Sequence, residues 1–216
     1  MKRIVLAIAL ACFYAMLSSC NIASAIQYVT MPDPEQEVLF ELSDVPTVVF
    51  VDDRRNVMHP TRLRRVIAEQ VTDELLAKKL LTIMISPRDA MRVSSTNDKY
   101  NEPLPVDELG KAVGATVVIY IEMVSFGLTS DGQTANPRAS CNIRVINTKD
   151  RTRLFPTERA AFIIPTSIQH VSPNRVTSSS DARELAEELA VKLAGSVTKV
   201  FYTHNTGRLG DHLERK

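Results

Sequence analysis

Five residues, Thr47-Val-Val-Phe-Val51, form an unbroken run of β-branched and aromatic side chains that ends in Asp52-Asp53. A strand with one wet face alternates apolar and polar residues, whereas continuous apolarity predicts a strand covered on both faces. The segments downstream supply the cover. From about Pro60 to Leu80, Leu63, Val66, Ile67, Val71, Leu75, Leu76 and Leu80 recur at spacings of three and four, the period of a helix. Pro60 suits the first turn of that helix, where a missing N–H costs nothing. Leu81-Thr-Ile-Met-Ile-Ser86 then predicts a second short buried strand, closed by Pro87, with one helical turn over Asp89 to Arg92.

A polar loop from Ser94 to Pro103 leads to a helix over about Pro105 to Val113, with Gly114 where a left-handed C-terminal cap falls. Thr116 to Phe126, dense in Val, Ile and Tyr, is the strongest strand signal. After Asp131-Gly132 a looser loop containing Pro137 is expected. Ala139 to Asn147 alternates, with Cys141, Ile143 and Val145 on one face and Asn142, Arg144 and Ile146 on the other. Thr148 to Arg151 reads as a hairpin turn before a strand containing Leu154, interrupted at Pro156 and resuming over Ala160 to Ile164. Pro165 to Ser180 is polar and reads as a loop. The last helix runs from Asp181 to about Tyr202 with a stripe of Leu185, Leu189, Leu193, Val197, Val200 and Phe201; Asp181 and Glu184 have capping-box spacing. The fold class is therefore α/β (α+β), with a mixed sheet of about five strands. It combines parallel strand-helix units, an antiparallel meander edge and a long C-terminal helix within residues 47–202.

The N-terminus speaks to location. Lys2-Arg3, an apolar run from Ile4 to Leu17 and small residues before Cys20 have the order of an export signal. The run is shorter than the roughly 20 apolar residues of a spanning helix. Leu17-Ser-Ser-Cys20 resembles the bacterial lipobox, in which Cys20 receives the lipid and becomes the first mature residue. The other reading is an ordinary secretory signal cut after Ala25, since Ala23-Ser24-Ala25 meets the small-x-small rule. Residues 1–19 are thus expected as the signal peptide, 20–46 as a tether with Pro32, Pro34 and Pro46, and 203–216 as a flexible tail. Lys and Arg (26) exceed Asp and Glu (25) by one, and loss of Lys2 and Arg3 would leave 24 against 25. No basic excess favours nucleic acid. Of three cysteines, Cys12 lies in the signal, Cys20 at the lipid position and Cys141 alone, so a lipidated mature chain has no internal disulfide.

Candidate chemistry is sparse. Asp52-Asp53 end the first strand, where open α/β sheets place ligands, and paired carboxylates there can bind Mg²⁺ or act as acid and base. The bland reading is a solvated turn neutralised by Arg54-Arg55. His59, His170, His204 and His212 have no metal-ligand spacing, and Cys141 reads as a buried thiol. Ser178 to Ser180 lack a Gly-x-Ser-x-Gly frame, and no phosphate-cradling glycine loop occurs. No cofactor, metal or catalytic residue is expected. The edge of the antiparallel meander is a place where a partner strand can add.

Val48-Val-Phe-Val51 with its helix, Ile83-Met-Ile-Ser-Pro87, Val106-Asp-Glu-Leu-Gly110 with Ala115-Thr-Val-Val-Ile-Tyr120, and the terminal helix follow one another in an order with a known likeness. It resembles the bacterial envelope lipoproteins built on the α/β fold of the curli-secretion-channel lipoprotein. That group includes the lipoprotein activators of penicillin-binding proteins, the Pel polysaccharide export lipoprotein and the N-terminal domain of the Tol-system periplasmic protein. The leader implies a membrane-anchored periplasmic lipoprotein, and Asn21 after Cys20, where an Asp resembles an inner-membrane retention signal, points to the outer membrane. The role that the resemblance implies is a non-enzymatic assembly or interaction module in envelope biogenesis or export, with an envelope protein or glycan partner or as a homo-oligomer. The competing expectation is an exported hydrolase or small-ligand-binding protein with a polar site near Asp52 and Asp53, soluble in the periplasm or secreted if cleavage follows Ala25.

Overall fold

A computed structural model describes residues 34–97 and 103–206. The chain divides into two compact units, one of residues 1–36 with 204–216 and one of Glu37–Thr203. In the first, Glu35–Gln36 pairs antiparallel with His204–Asn205, and the Thr206 amide and hydroxyl both donate to the Pro34 carbonyl. The expected signal peptide, residues 1–19, and Cys20 lie outside the described residues.

The second unit carries the sheet and its helices. In chain order it contains β1 (Thr47–Asp52), α1 (Leu63–Ala77), β2 (Met84–Ile85), α2 (Pro87–Asn97), α3 (Val106–Ala112), β3 (Val117–Thr129), β4 (Ala135–Asn147), β5 (Arg153–Phe155), β6 (Phe162–Ser167) and α4 (Ser179–Thr198). A 3₁₀ turn, Lys199–Phe201, follows α4. The strands form one open mixed sheet in the order β2-β1-β3-β4-β5, with β6 also on β4. β1 runs parallel to both β2 and β3; the remaining pairs are antiparallel. The sheet has six strands where about five were expected, because the interrupted segment forms two short strands, β5 and β6, along the same side of β4.

β1 is covered on both faces as its apolar run requires. Val49 and Val51 lie against α1 and α4 through Ile67, Val71, Leu189 and Leu193, all fully buried. Val48 and Phe50 lie on the other face with Ala90 of α2 and Leu109 of α3. Burying one such aliphatic side chain contributes about 1.5–3 kcal/mol, so the α1–α4 layer is the larger stabilising face. β4 alternates as expected, with Cys141, Ile143 and Val145 buried beneath α4 and Asn142 and Arg144 half-buried on the opposite face.

Several local expectations are corrected. The second strand shrinks to two half-buried residues at the sheet edge, because Ile83 is exposed and only Leu81 enters the core. Pro87 opens a helix instead of merely closing a strand, and α2 extends through Asn97, beyond the single turn expected over Asp89 to Arg92. Pro60 precedes α1, its carbonyl accepting from the Leu63 amide. Pro137 lies inside β4, where register shifts between Gly127 and Thr129 make room for a residue without an N–H. Residues 165–167 belong to β6. The α4 cap is Ser178 with Asp181 as its reciprocal partner, not Asp181 with Glu184.

Residues 37–46, expected as tether, pack on the second unit. The Val200 carbonyl accepts from Leu39 and Phe40, the Phe40 and Phe155 rings lie 5.6 Å apart, and Asp44 accepts from the Thr82 amide and hydroxyl at 2.7 Å each. Gly114 adopts φ +79°, as the expected left-handed cap requires.

Gly110 of α3 marks the closest helix-to-sheet approach. A Cβ there would meet the Thr148 methyl at 2.4 Å and a Val118 methyl at 2.6 Å. Replacing Gly110 by Ala is expected to destabilise the protein by about 1–3 kcal/mol through overpacking, measured as a lowered urea midpoint at constant slope. Ser178→Ala should cost about 1 kcal/mol by removing the α4 cap, read in the same titration.

Candidate functional site

The two acids at the end of β1 part company. Asp52 sits opposite Glu122 of β3, and its Oδ2 accepts from the Tyr120 hydroxyl and from Arg54 Nε, both at 2.7 Å. Tyr120 is buried with its ring stacked on Phe50, centroids 6.2 Å apart, and the Arg144 guanidinium lies 5.5 Å from it. Burial and the neighbouring Asp52 charge push the Tyr120 hydroxyl well above the usual phenol range, against the opposing pull of Arg54. Glu122 in turn accepts from Arg144 at 3.0 Å and from Asn142 at 3.4 Å, while Arg144 Nε donates to the Ala160 carbonyl. A ladder of two acid–base pairs, Asp52 with Arg54 and Glu122 with Arg144, thus lies along one face of β1, β3 and β4.

Asp53 does something different. Its two carboxylate oxygens accept from the Val57 and Met58 amides, each at 2.9 Å, and this closes a turn in which Asn56 has φ +50°. Met58, the last residue of that turn, is fully buried. One acid therefore organises a loop and the other ties a tyrosine to an arginine; they have no hydrogen-bond partner in common. Of the arginines expected to neutralise them, Arg54 pairs with Asp52.

The remaining candidates separate in space. His59 and His170 are exposed, His204 belongs to the short ladder of the smaller unit, and His212 lies outside the described residues. Cys141 is fully buried, and burial pushes its thiol up to about 12. Ser178, one of the serines weighed as nucleophiles, is the α4 cap.

The same corner holds a feature of opposite sign. The β1 exit leads to α1 on one face of the sheet, and the exit of its neighbour β2 leads to α2 on the other. The first turns of these helices flank a cleft of about 370 Å³ lined by Thr61, Arg62, Arg64, Arg65, Arg88 and Met91. Arg62 pairs with Glu187 of α4, and Arg88 lies 2.6 Å from Glu69, which is also 4.0 Å from Arg65. Arg64 is half-buried and has no ion pair among the described residues. Sequence reasoning located this end of the sheet through Asp52 and Asp53 but passed over these arginines. The available signal was three arginines in ten residues at a helix start, where acids are electrostatically preferred.

Neither a family model nor a curated protein matches the chain. Among solved structures it is similar to the PelC dodecamer from Paraburkholderia phytofirmans, with 11% identity over 79% of this chain and 97% of that one, at a TM-score of 0.45. It is also similar to the lipoprotein GNA1162 from Neisseria meningitidis, with 12% identity over 69% and 96% of the two chains and a TM-score of 0.39. A hypothetical protein from Chlamydia trachomatis matches with 16% identity over 72% and 98%, at 0.38.

Tyr120→Phe removes a donor from Asp52 without changing ring packing, and should lower stability by about 0.5–1.5 kcal/mol in urea unfolding. Cys141 should resist Ellman's reagent at pH 8 in the native protein and label fully in denaturant, with the site read by peptide mass mapping, because thiolate is the reactive form.

Proposed function

We propose that the chain is a membrane-anchored lipoprotein of the bacterial cell envelope. In this reading it is a non-enzymatic assembly or interaction module facing the periplasm, held to the outer membrane through Cys20. The observation that carries this reading is the leader: Lys2-Arg3, the apolar run and Leu17-Ser-Ser-Cys20 in the order of a lipidation signal. Acyl chains on one terminal residue anchor durably when more than one is present, whereas a single short chain binds marginally.

The arrangement at the sheet supports the reading in a second way. A hydrolase at the end of β1 needs Asp52 and Asp53 aimed at a common substrate atom. Instead, Asp52 is engaged by Tyr120 and Arg54 and Asp53 by two backbone amides. On the same sheet face as the ladder, beyond the reach of α2 and α3, Ile163 of β6 is 63% exposed beside Asn142 of β4. An exposed apolar residue on the edge strand suits contact with an envelope protein, a glycan or a second copy.

Intact mass and membrane fractionation of the wild type beside Cys20→Ala test the tether. The expected result is a mature chain beginning at an acylated Cys20, with the variant released to the soluble fraction. A mature chain beginning at Ile26, soluble in both proteins, would replace the lipoprotein with a secreted protein.

A further inference from the structure

The arginine cleft between α1 and α2 has the chemistry of a binding site, and nothing in the lipoprotein reading requires it. Its position is the first argument. In open α/β sheets, ligands bind at the carboxyl ends of the strands, where the connections to the helices begin. α1 and α2 are the helices that follow the carboxyl ends of β1 and β2, and the cleft lies between their starts.

Charge is the second argument. The positive end of a helix dipole favours acids in the first turn, yet α1 has none there: Arg62 is its N-cap and Arg64 and Arg65 stand in its first turn. Arg88 stands in the first turn of α2 beside Asp89, whose carboxylate is paired with Arg92. Four guanidiniums face two carboxylates, Glu69 and Glu187, leaving two positive charges in excess. Two helix starts and four arginines add repulsion that folding alone does not call for, and departures from local rules of this kind collect at functional sites. The half-buried Arg64 offers its planar fork without an acid to hold it.

Ligand size and charge follow. A phosphomonoester carries roughly 1.5 to 2 negative charges near pH 7 and three acceptor oxygens, which matches the excess and suits bidentate arginine contacts. The cleft, at about 370 Å³, exceeds what a bare phosphate fills and falls at the small end of the roughly 300–1,000 Å³ of ligand sites. Met91 adds an apolar wall for an organic group. We propose that this cleft binds a phosphate monoester, with Arg64 as its principal contact and Arg65 and Arg88 redirected toward it from Glu69. The phosphate can belong to a soluble ester or to a lipid headgroup.

The test is calorimetric titration of the full chain in neutral detergent with inorganic phosphate, glucose 6-phosphate and short-chain phosphatidic acid, each against sodium chloride at equal ionic strength. Saturable one-to-one binding of at least one phosphate probe, with a Kd below about 1 mM, is expected. Arg64→Gln should weaken it by about tenfold or more while leaving the circular dichroism and the ligand-free Tm unchanged. Arg64→Lys should recover only part of the affinity, because the ammonium keeps the charge and loses the fork. Should Arg64→Gln misfold, the exposed Arg88→Gln reads the same loss from the opposite wall. Tightest binding of glucose 6-phosphate assigns a soluble ester, and tightest binding of phosphatidic acid a headgroup. Heats indistinguishable from the chloride control, or affinity unchanged in both glutamine variants, would overturn the site. Because Cys20 takes no part, this result and the fractionation result fail independently.

Discussion

Covering both faces of β1 is the constraint from which the rest of the second unit follows. Thr47 to Val51 are buried, and their backbones are already committed to parallel ladders with β2 and β3. Side chains that alternate direction along such a strand need an apolar layer on each side. α1 and α4 form one layer over Val49 and Val51; α2 and α3 form the other over Val48 and Phe50. The connections must then leave neighbouring strands toward opposite faces. A cleft lies where α1 and α2 begin.

The antiparallel half of the sheet obeys a looser rule. β4 is covered by α4 along one face, while its other face meets the α2–α3 layer at Ile146 and carries Asn142 and Arg144, which join the ladder to Glu122. Charges at this depth persist because each has a partner: Tyr120 and Arg54 for Asp52, Arg144 for Glu122, the Ala160 carbonyl for Arg144. The same corner thus contains two opposite electrostatic arrangements. On the sheet face acids and bases are matched, whereas in the cleft arginines outnumber the acids that meet them.

Legibility varied with the range of the forces involved. The alternation of Cys141, Ile143 and Val145, the stripe of α4 and the left-handed Gly114 could be read directly, since periodicity and glycine conformation are local properties. β2 was read as longer than it is because Ile83 is apolar yet lies at an edge, and edge exposure is a property of the sheet, not of the residue. Ser178 escaped because it was weighed as a nucleophile, although its spacing to Asp181 is that of a cap. Residues 20–46 read as a tether, yet the fold brings Phe155 to Phe40, 115 positions away, because that contact is not local.

By itself the sequence determined the alternation of strands and helices and the doubly covered first strand. Each is written in neighbouring residues through period or composition. Only the tertiary structure decided which side chains meet. It separated Asp52 from Asp53, although they are adjacent, because one hydrogen-bonds across the sheet and the other to its own loop. It also gathered Arg62, Arg64, Arg65 and Arg88, although a strand and most of a helix intervene. The physical reason is that a pairing across a sheet or between two helix starts depends on strand order and on the face each connection takes, and no local pattern encodes either.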